Sequence, residues 1–180
     1  MWDEIIKKFD IGEKISPTIM INEVYNKHTE DDFKKYPKWK QDYITKNKPL
    51  IKKYKTQLDK WYEKHKTILQ KREIYGKLEW QVGKIKPNDS IFNYIIQIRQ
   101  SGIRVKKIEY FPTLVAISQI PIYGKEKRYL TPMECANIQS FPKNMILSNI
   151  DKHTYKQLGN SVNVENVFTV IETTLKQYNY

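Results

Sequence analysis

The chain of 180 residues contains a single cysteine, Cys135, which rules out an internal disulfide framework and any multi-cysteine zinc site. No apolar run approaches the roughly 20 residues needed to span a bilayer. The start, Met1-Trp2-Asp3-Glu4-Ile5-Ile6, lacks the basic and apolar regions of a signal peptide. A cytoplasmic location is therefore expected. Internal repeats and low-complexity segments are absent, and acidic residues are the minority. Lys and Arg total 32 against 20 Asp and Glu, a formal charge of +12 that favours polyanions, nucleic acid ahead of an anionic membrane surface. Part of that excess, with the many Ile, Asn and Tyr, is also what an AT-rich coding sequence would give. Aromatic residues make up 13% of the chain, enough to build a core and to exclude a disordered basic tail. The length suits one ordinary domain, or a small domain with an extension that packs on something else.

The first 40 residues, with Pro17, Pro37 and several acidic groups, read as a short helix around Trp2 to Phe9 followed by irregular structure. Beyond them Ile51, Tyr54, Leu58, Trp61, His65 and Ile68 recur at spacings of three and four. That spacing predicts one amphipathic helix with Pro49 in its first turn and Gly76 just past its end. His65 lies on the apolar side with no partner at a useful spacing, so it reads as structural. The Lys-rich opposite face either contacts phosphates or is simply solvated.

Leu78 to Asp89 reads as a strand or loop ending in a turn, and Ser90 to Gln97 as a helix. In Ile98 to Lys107 apolar and basic residues alternate, which predicts a strand with a charged face. Phe111 to Ile117 is a short apolar run between turn signals and Pro121 to Gly124 marks the next turn, so a small sheet is expected. Thr131-Pro132-Met133-Glu134 is a capping box with Pro at the first helical position, opening a helix that reaches about Ser140. Val164, Val167, Phe168, Ile171, Leu175 and Tyr178 form one stripe of a terminal amphipathic helix, and that stripe needs a cover.

Arg128 to Pro142, Arg-Tyr-Leu-Thr-Pro-Met-Glu-Cys-Ala-Asn-Ile-Gln-Ser-Phe-Pro, resembles the ninth conserved block of DNA cytosine-5 methyltransferases, Arg-x-Leu-Thr-Pro-Arg-Glu-x-x-Arg-x-Gln-x-Phe-Pro. Met133 and Asn137 stand where the family has Arg, which weakens any claim to ion pairs or DNA contacts from those positions. Tyr155 to Val162 matches the tenth block, Tyr-Lys-Gln-x-Gly-Asn-Ser-Val, without departure. The two in tandem are what make the resemblance specific. Upstream, Lys77-Leu78-Glu79-Trp80-Gln81 and Ser101-Gly102-Ile103-Arg104-Val105-Lys106 are similar to stretches of one branch's target-recognition region, which tends to have Pro where this chain has Gln100. Trp2-Asp3-Glu4 resembles that region's beginning, so the resemblance covers essentially the whole chain.

The resemblance implies an α+β chain: a target-recognition, DNA-binding domain over 1–127 with a short sheet and amphipathic helices, and a C-terminal helical extension over 128–180. The extension would pack on a doubly wound α/β methyltransferase domain that the sequence does not contain. Asn160, Ser161 and Val162 are the positions that would lie against S-adenosyl-L-methionine. DNA contacts fall to the basic Arg99, Arg104, Lys106 and Lys107, and to Thr113-Leu114, which fits the family's Thr followed by Leu or Val. Whether the basic groups read guanine or hold phosphate stays open.

Relatives attack a flipped cytosine with a Cys thiolate, yet no Pro-Cys-Gln loop or Phe-x-Gly-x-Gly loop occurs here. Cys135, inside the capped helix, reads as a packing residue. The expectation is therefore the C-terminal half of a restriction-modification enzyme with no catalytic residue and no methyl transfer of its own. Its partners would be double-stranded DNA and an N-terminal catalytic methyltransferase chain that completes the cofactor site, with no membrane involved. The competing readings are a truncated, non-catalytic DNA-binding remnant or regulator, and a basic RNA-binding or ribosome-associated protein. The last accounts for the charge but not for the paired blocks.

Overall fold

A computed structural model describes residues 1–15, 18–25, 29–117 and 119–178; Pro17 lies outside the described residues. The chain begins with α1 (Trp2–Ile6), β1 (Thr18–Met20), α2 (Ile21–Tyr25), α3 (Glu30–Lys34), α4 (Lys38–Lys53) and α5 (Lys55–Lys71). Then come β2 (Lys77–Gln81), β3 (Ile95–Arg99), β4 (Gly102–Lys106), β5 (Ile122–Tyr123) and β6 (Arg128–Tyr129), followed by α6 (Pro132–Ile138), α7 (Asp151–Asn160) and α8 (Val164–Gln177). The fold is mixed α+β around one sheet of order β1-β2-β4-β3-β5-β6, antiparallel except where β2 runs beside β4.

Because strand side chains alternate faces, the register sorts the sheet. Ile19, Leu78, Trp80, Ile103, Val105 and Ile96 share one face and enter the main core, where α1 and α5 cover them with Trp2, Ile5, Ile6, Leu58, Trp61 and Leu69. Trp2 and Trp61 meet at 4.9 Å. Their indole N–H groups donate to the carbonyls of Tyr75 and Met1 at 2.8 and 2.9 Å, so neither is left unpaired by burial. The other face carries Lys77, Glu79, Gln97, Arg99, Arg104 and Lys106. A second, smaller core unites Leu130, Cys135, Ala136 and Leu158, flanked by Phe111, Leu114, Phe141 and Tyr155. Since β6 pairs with β5, the strand ladder crosses residue 127.

Several local expectations are corrected. Pro49 does not open a helix but sits inside α4. The run from Lys38 to Lys48 holds no breaker, and Pro49 near the helix end removes only one bond of the ladder. The single amphipathic stripe is thereby split at Tyr54, whose hydroxyl accepts from the Asp10 N–H at 2.9 Å and donates to Glu13 at 2.8 Å. Gly76 ends a 3-10 turn rather than capping α5, and a Cβ there would strike the Asn22 amide. Ser90 to Gln97 is not a helix: after one 3-10 turn, Ile91–Asn93, the β-branched run Ile95, Ile96, Ile98 pairs as β3 with β4. The two strands form a hairpin closed at Gly102, whose φ of +128° favours glycine. Phe111 to Ile117 joins no strand and is a loop. The first 40 residues, expected to be irregular after the first helix, also contain β1, α2 and α3. His65 does prove structural, 2.7 Å from Glu4 and tilted against Trp61.

Candidate functional site

The two blocks are built into each other. Thr131 caps α6 by accepting from the Glu134 N–H at 3.2 Å, and Glu134 accepts from the Thr131 N–H at 2.8 Å. Arg128 closes the cap by donating from both terminal nitrogens to the two Glu134 oxygens at 2.8 Å. The guanidinium first, and the Thr131 N–H second, pull the Glu134 carboxyl down from 4.5 to about 2.

At the far end of α6, the Gln139 amide donates to the Leu158 carbonyl at 2.8 Å, and its oxygen lies 2.5 Å from the Ser161 hydroxyl. The Val164 N–H donates to the Gln139 carbonyl at 2.9 Å, and Tyr155 donates to the Leu130 carbonyl at 2.6 Å. A side chain at Gly159 would collide with the backbone of Val115 and Ala116, so this glycine permits the 111–117 loop to lie directly on α7. Gln139, Tyr155 and Gly159 were not singled out from the sequence, although each is a fixed letter of a block pattern. The two departures from the pattern, Met133 and Asn137, are exposed.

That loop brings Thr113 and Leu114 to an open cleft of about 860 Å³ that Ser161, Val162 and Gln139 also line, with Val167 and Ile171 of α8 on its other wall. Two of the three expected cofactor positions thus share a cleft with the expected Thr-Leu pair. Asn160, the last residue of α7, is exposed and lies outside the cleft lining. Cys135 is fully buried in the second core, and burial pushes its thiol up to about 11. It therefore presents neither an accessible sulfur nor a thiolate near neutral pH.

The basic positions form a separate group on the polar face of the sheet. Arg104 donates from Nε to Glu79 at 2.7 Å, Arg99 Nη1 approaches the same oxygen at 3.6 Å, and Lys77 lies 3.8 Å from the other. Lys106 and Lys107, at the end of β4, are half-buried. Glu79 escaped the sequence reading, yet its place between Leu78 and Trp80 already assigned it to the face opposite the core. The loop after Ile117 reaches this group too: the buried Gln97 amide donates to the Gln119 carbonyl at 3.0 Å. Thr113 and Leu114 at the block-lined cleft and Gln119 beside the arginine-bearing strands thus lie close together in the sequence.

The model of the family of C-5 cytosine-specific DNA methylases matches residues 7–176. The type II methyltransferase M.AluI of Cellulosimicrobium cellulans is 32% identical over 133 residues, which cover 71% of this chain and 24% of that protein. M.BanI of Aneurinibacillus aneurinilyticus is 56% identical over 45 residues, 25% of this chain and 10% of its own. M.Bsp6I of Bacillus sp. (strain RFL6) is 36% identical over 90 residues, 46% and 29% respectively. The chain spans between 10% and 29% of the length of these curated relatives. No solved structure matches. With nearly its whole length under one family model, and with the two blocks interlocked through Gln139, Ser161 and Tyr155, the chain belongs to the family of C-5 cytosine-specific DNA methylases.

Proposed function

We propose that this chain is the C-terminal part of a restriction-modification DNA cytosine-5 methyltransferase. Residues 1–127 supply DNA sequence recognition, and 128–180 complete a catalytic domain contributed by an N-terminal methyltransferase chain. The observation that carries the reading is α8. No residue of this helix is buried, and Val167, Phe168, Val170, Ile171 and Leu175 are 39–66% exposed. An apolar face of that kind marks an interaction surface. It opens onto the cleft that also receives the tenth block and the Thr113-Leu114 loop, so a domain seated on α8 would meet both at once.

In this reading Asn160, Ser161 and Val162 lie against S-adenosyl-L-methionine from the open side, and the hydrogen bond to Gln139 holds Ser161 in place. The cofactor supplies the methyl group; the nucleophile comes from the partner, since Cys135 is buried. Arg99, Arg104, Lys106, Lys107, Thr113 and Leu114 face double-stranded DNA.

The test is transfer of a labelled methyl group from S-adenosylmethionine to cytosine-containing DNA, by the chain alone and with a catalytic chain bearing a Pro-Cys loop. Activity in the mixture only is expected. Transfer by neither, with DNA binding retained, would turn the assignment to a non-catalytic remnant or regulator. Transfer by the chain alone would refute the account of the nucleophile. In the active mixture Asn160→Ala should raise the cofactor concentration needed for half-maximal rate; an unchanged value would count against that contact.

A further inference from the structure

The Glu79 cluster holds an asymmetry that its charges alone do not require. Three cations surround one carboxylate whose side chain is 12% exposed, but only Arg104 hydrogen-bonds to it, and it does so through Nε, the donor nearest its stem. Of the five N–H donors of a guanidinium, the four on the terminal nitrogens of Arg104 have no partner among the described residues. The Arg104 side chain is 24% exposed, so that end reaches solvent. Arg99, by contrast, is attracted to Glu79 at 3.6 Å without a hydrogen bond. Strand register fixes the geometry, because Glu79 of β2 and Arg104 of β4 are directly paired residues in the parallel ladder.

A guanidinium anchored at Nε with its two terminal nitrogens free is already arranged as a fork. Such a fork matches the O6 and N7 acceptors of guanine in the major groove. Anchoring also removes side-chain freedom that would otherwise be lost on binding. Resting on the DNA-recognition reading above, we propose that Glu79 is a positioning residue that holds Arg104 as a guanine-specific base reader, while Arg99 acts as a phosphate-directed charge.

The experiment selects duplexes with a randomised stretch using the full chain, then measures binding of wild type and variants to the selected site and its single-base changes at one fixed salt concentration. The selected site should contain a guanine whose discrimination falls about tenfold or more in Arg104→Ala. Glu79→Gln and Glu79→Ala should lose discrimination at that same base pair, with binding to unselected duplex unchanged or stronger because a negative charge is gone. The double variant Glu79→Ala/Arg104→Ala should discriminate no worse than Arg104→Ala. Arg99→Ala should leave base preference intact and reduce the salt slope by about one.

Uniform weakening on every duplex, with a lower melting midpoint, would make Glu79 merely structural and overturn the inference. So would an Arg104→Ala protein that keeps its discrimination. If wild type selects no sequence at all, the DNA-recognition reading fails and the inference falls with it. That result is distinct from a selective wild type in which Glu79 is silent.

Discussion

The two cores of this molecule are stabilised in different ways. The main core closes on itself: α1 and α5 cover one sheet face, and both Trp2 and Trp61 find hydrogen-bond partners within the same unit. The second core is four small or medium side chains held by polar clamps, Gln139 to Leu158 and Ser161, Tyr155 to Leu130, Arg128 to Glu134. Its last helix buries nothing. Hydrophobic area stabilises the first region, whereas the second relies on specific geometry and leaves its largest apolar surface open. The difference separates a closed core from a region with an open apolar face.

The strongest way to break this comparison is to remove Trp61. Trp61→Ala leaves a cavity beneath α1 and removes the indole bond to the Met1 carbonyl, which still accepts from the Glu4 N–H at 3.1 Å; it should cost about 3–5 kcal/mol, read by urea unfolding. Loss of protection to hydrogen exchange across the whole sheet is expected; loss confined to α5 would mean the main core is not one cooperative unit. Gly159→Ala tests the other side. Its Cβ meets backbone, which cannot rotate away, so about 1–3 kcal/mol is expected. Exchange should accelerate in α6, α7 and the 111–117 loop while β2, β3 and β4 stay protected. Equal loosening of the sheet would erase the distinction between the regions.

These same positions show what sequence can and cannot convey. The capping box at Thr131 and the final helix were legible because their signals lie within a few residues of one another, and both stand in the structure. The charged strand was legible from period-2 alternation, though it proved to be two strands about a Gly102 turn. Ser90 to Gln97 was misread because a short apolar run carries no period that separates helix from strand, and pairing with β4 decided it. Phe111 to Ile117 was misread because its partner is the bare surface of Gly159, forty residues on, and no local pattern announces that. Glu79 was missed for the same reason: its ion pairs are with neighbours across strands, not along the chain.

A smaller effect sharpens the claim that polar clamps hold the second core. The Glu134 carboxyl is depressed in the folded chain, so its contribution is complete above 4.5 and is lost as pH falls from there through about 2. Because the pair is partly exposed, the contribution is screened and should not exceed about 1 kcal/mol. Glu134→Gln should therefore unfold more easily than wild type at pH 6, with the gap closing as pH falls from 4.5 towards 2. A gap that is constant with pH would assign the loss to the neutral capping bonds alone.

The smallest effect on the chain itself belongs to α8. Because Phe168 and Ile171 are 60% and 53% exposed, Phe168→Ser/Ile171→Ser removes no buried side chain, and the unfolding free energy should move by no more than about 0.5 kcal/mol. An effect above 2 kcal/mol would mean that the helix packs on its own chain in solution and that the second region is as self-contained as the first. If stability is unchanged, the same variant becomes the sharpest probe of what α8 receives. If α8 is the surface of the proposed pairing with a catalytic chain, that pairing should weaken by at least tenfold in a pull-down titration, since buried apolar anchors carry a large share of an interface's affinity. The chain's own stability would be nearly indifferent to these side chains, and its association would depend on them.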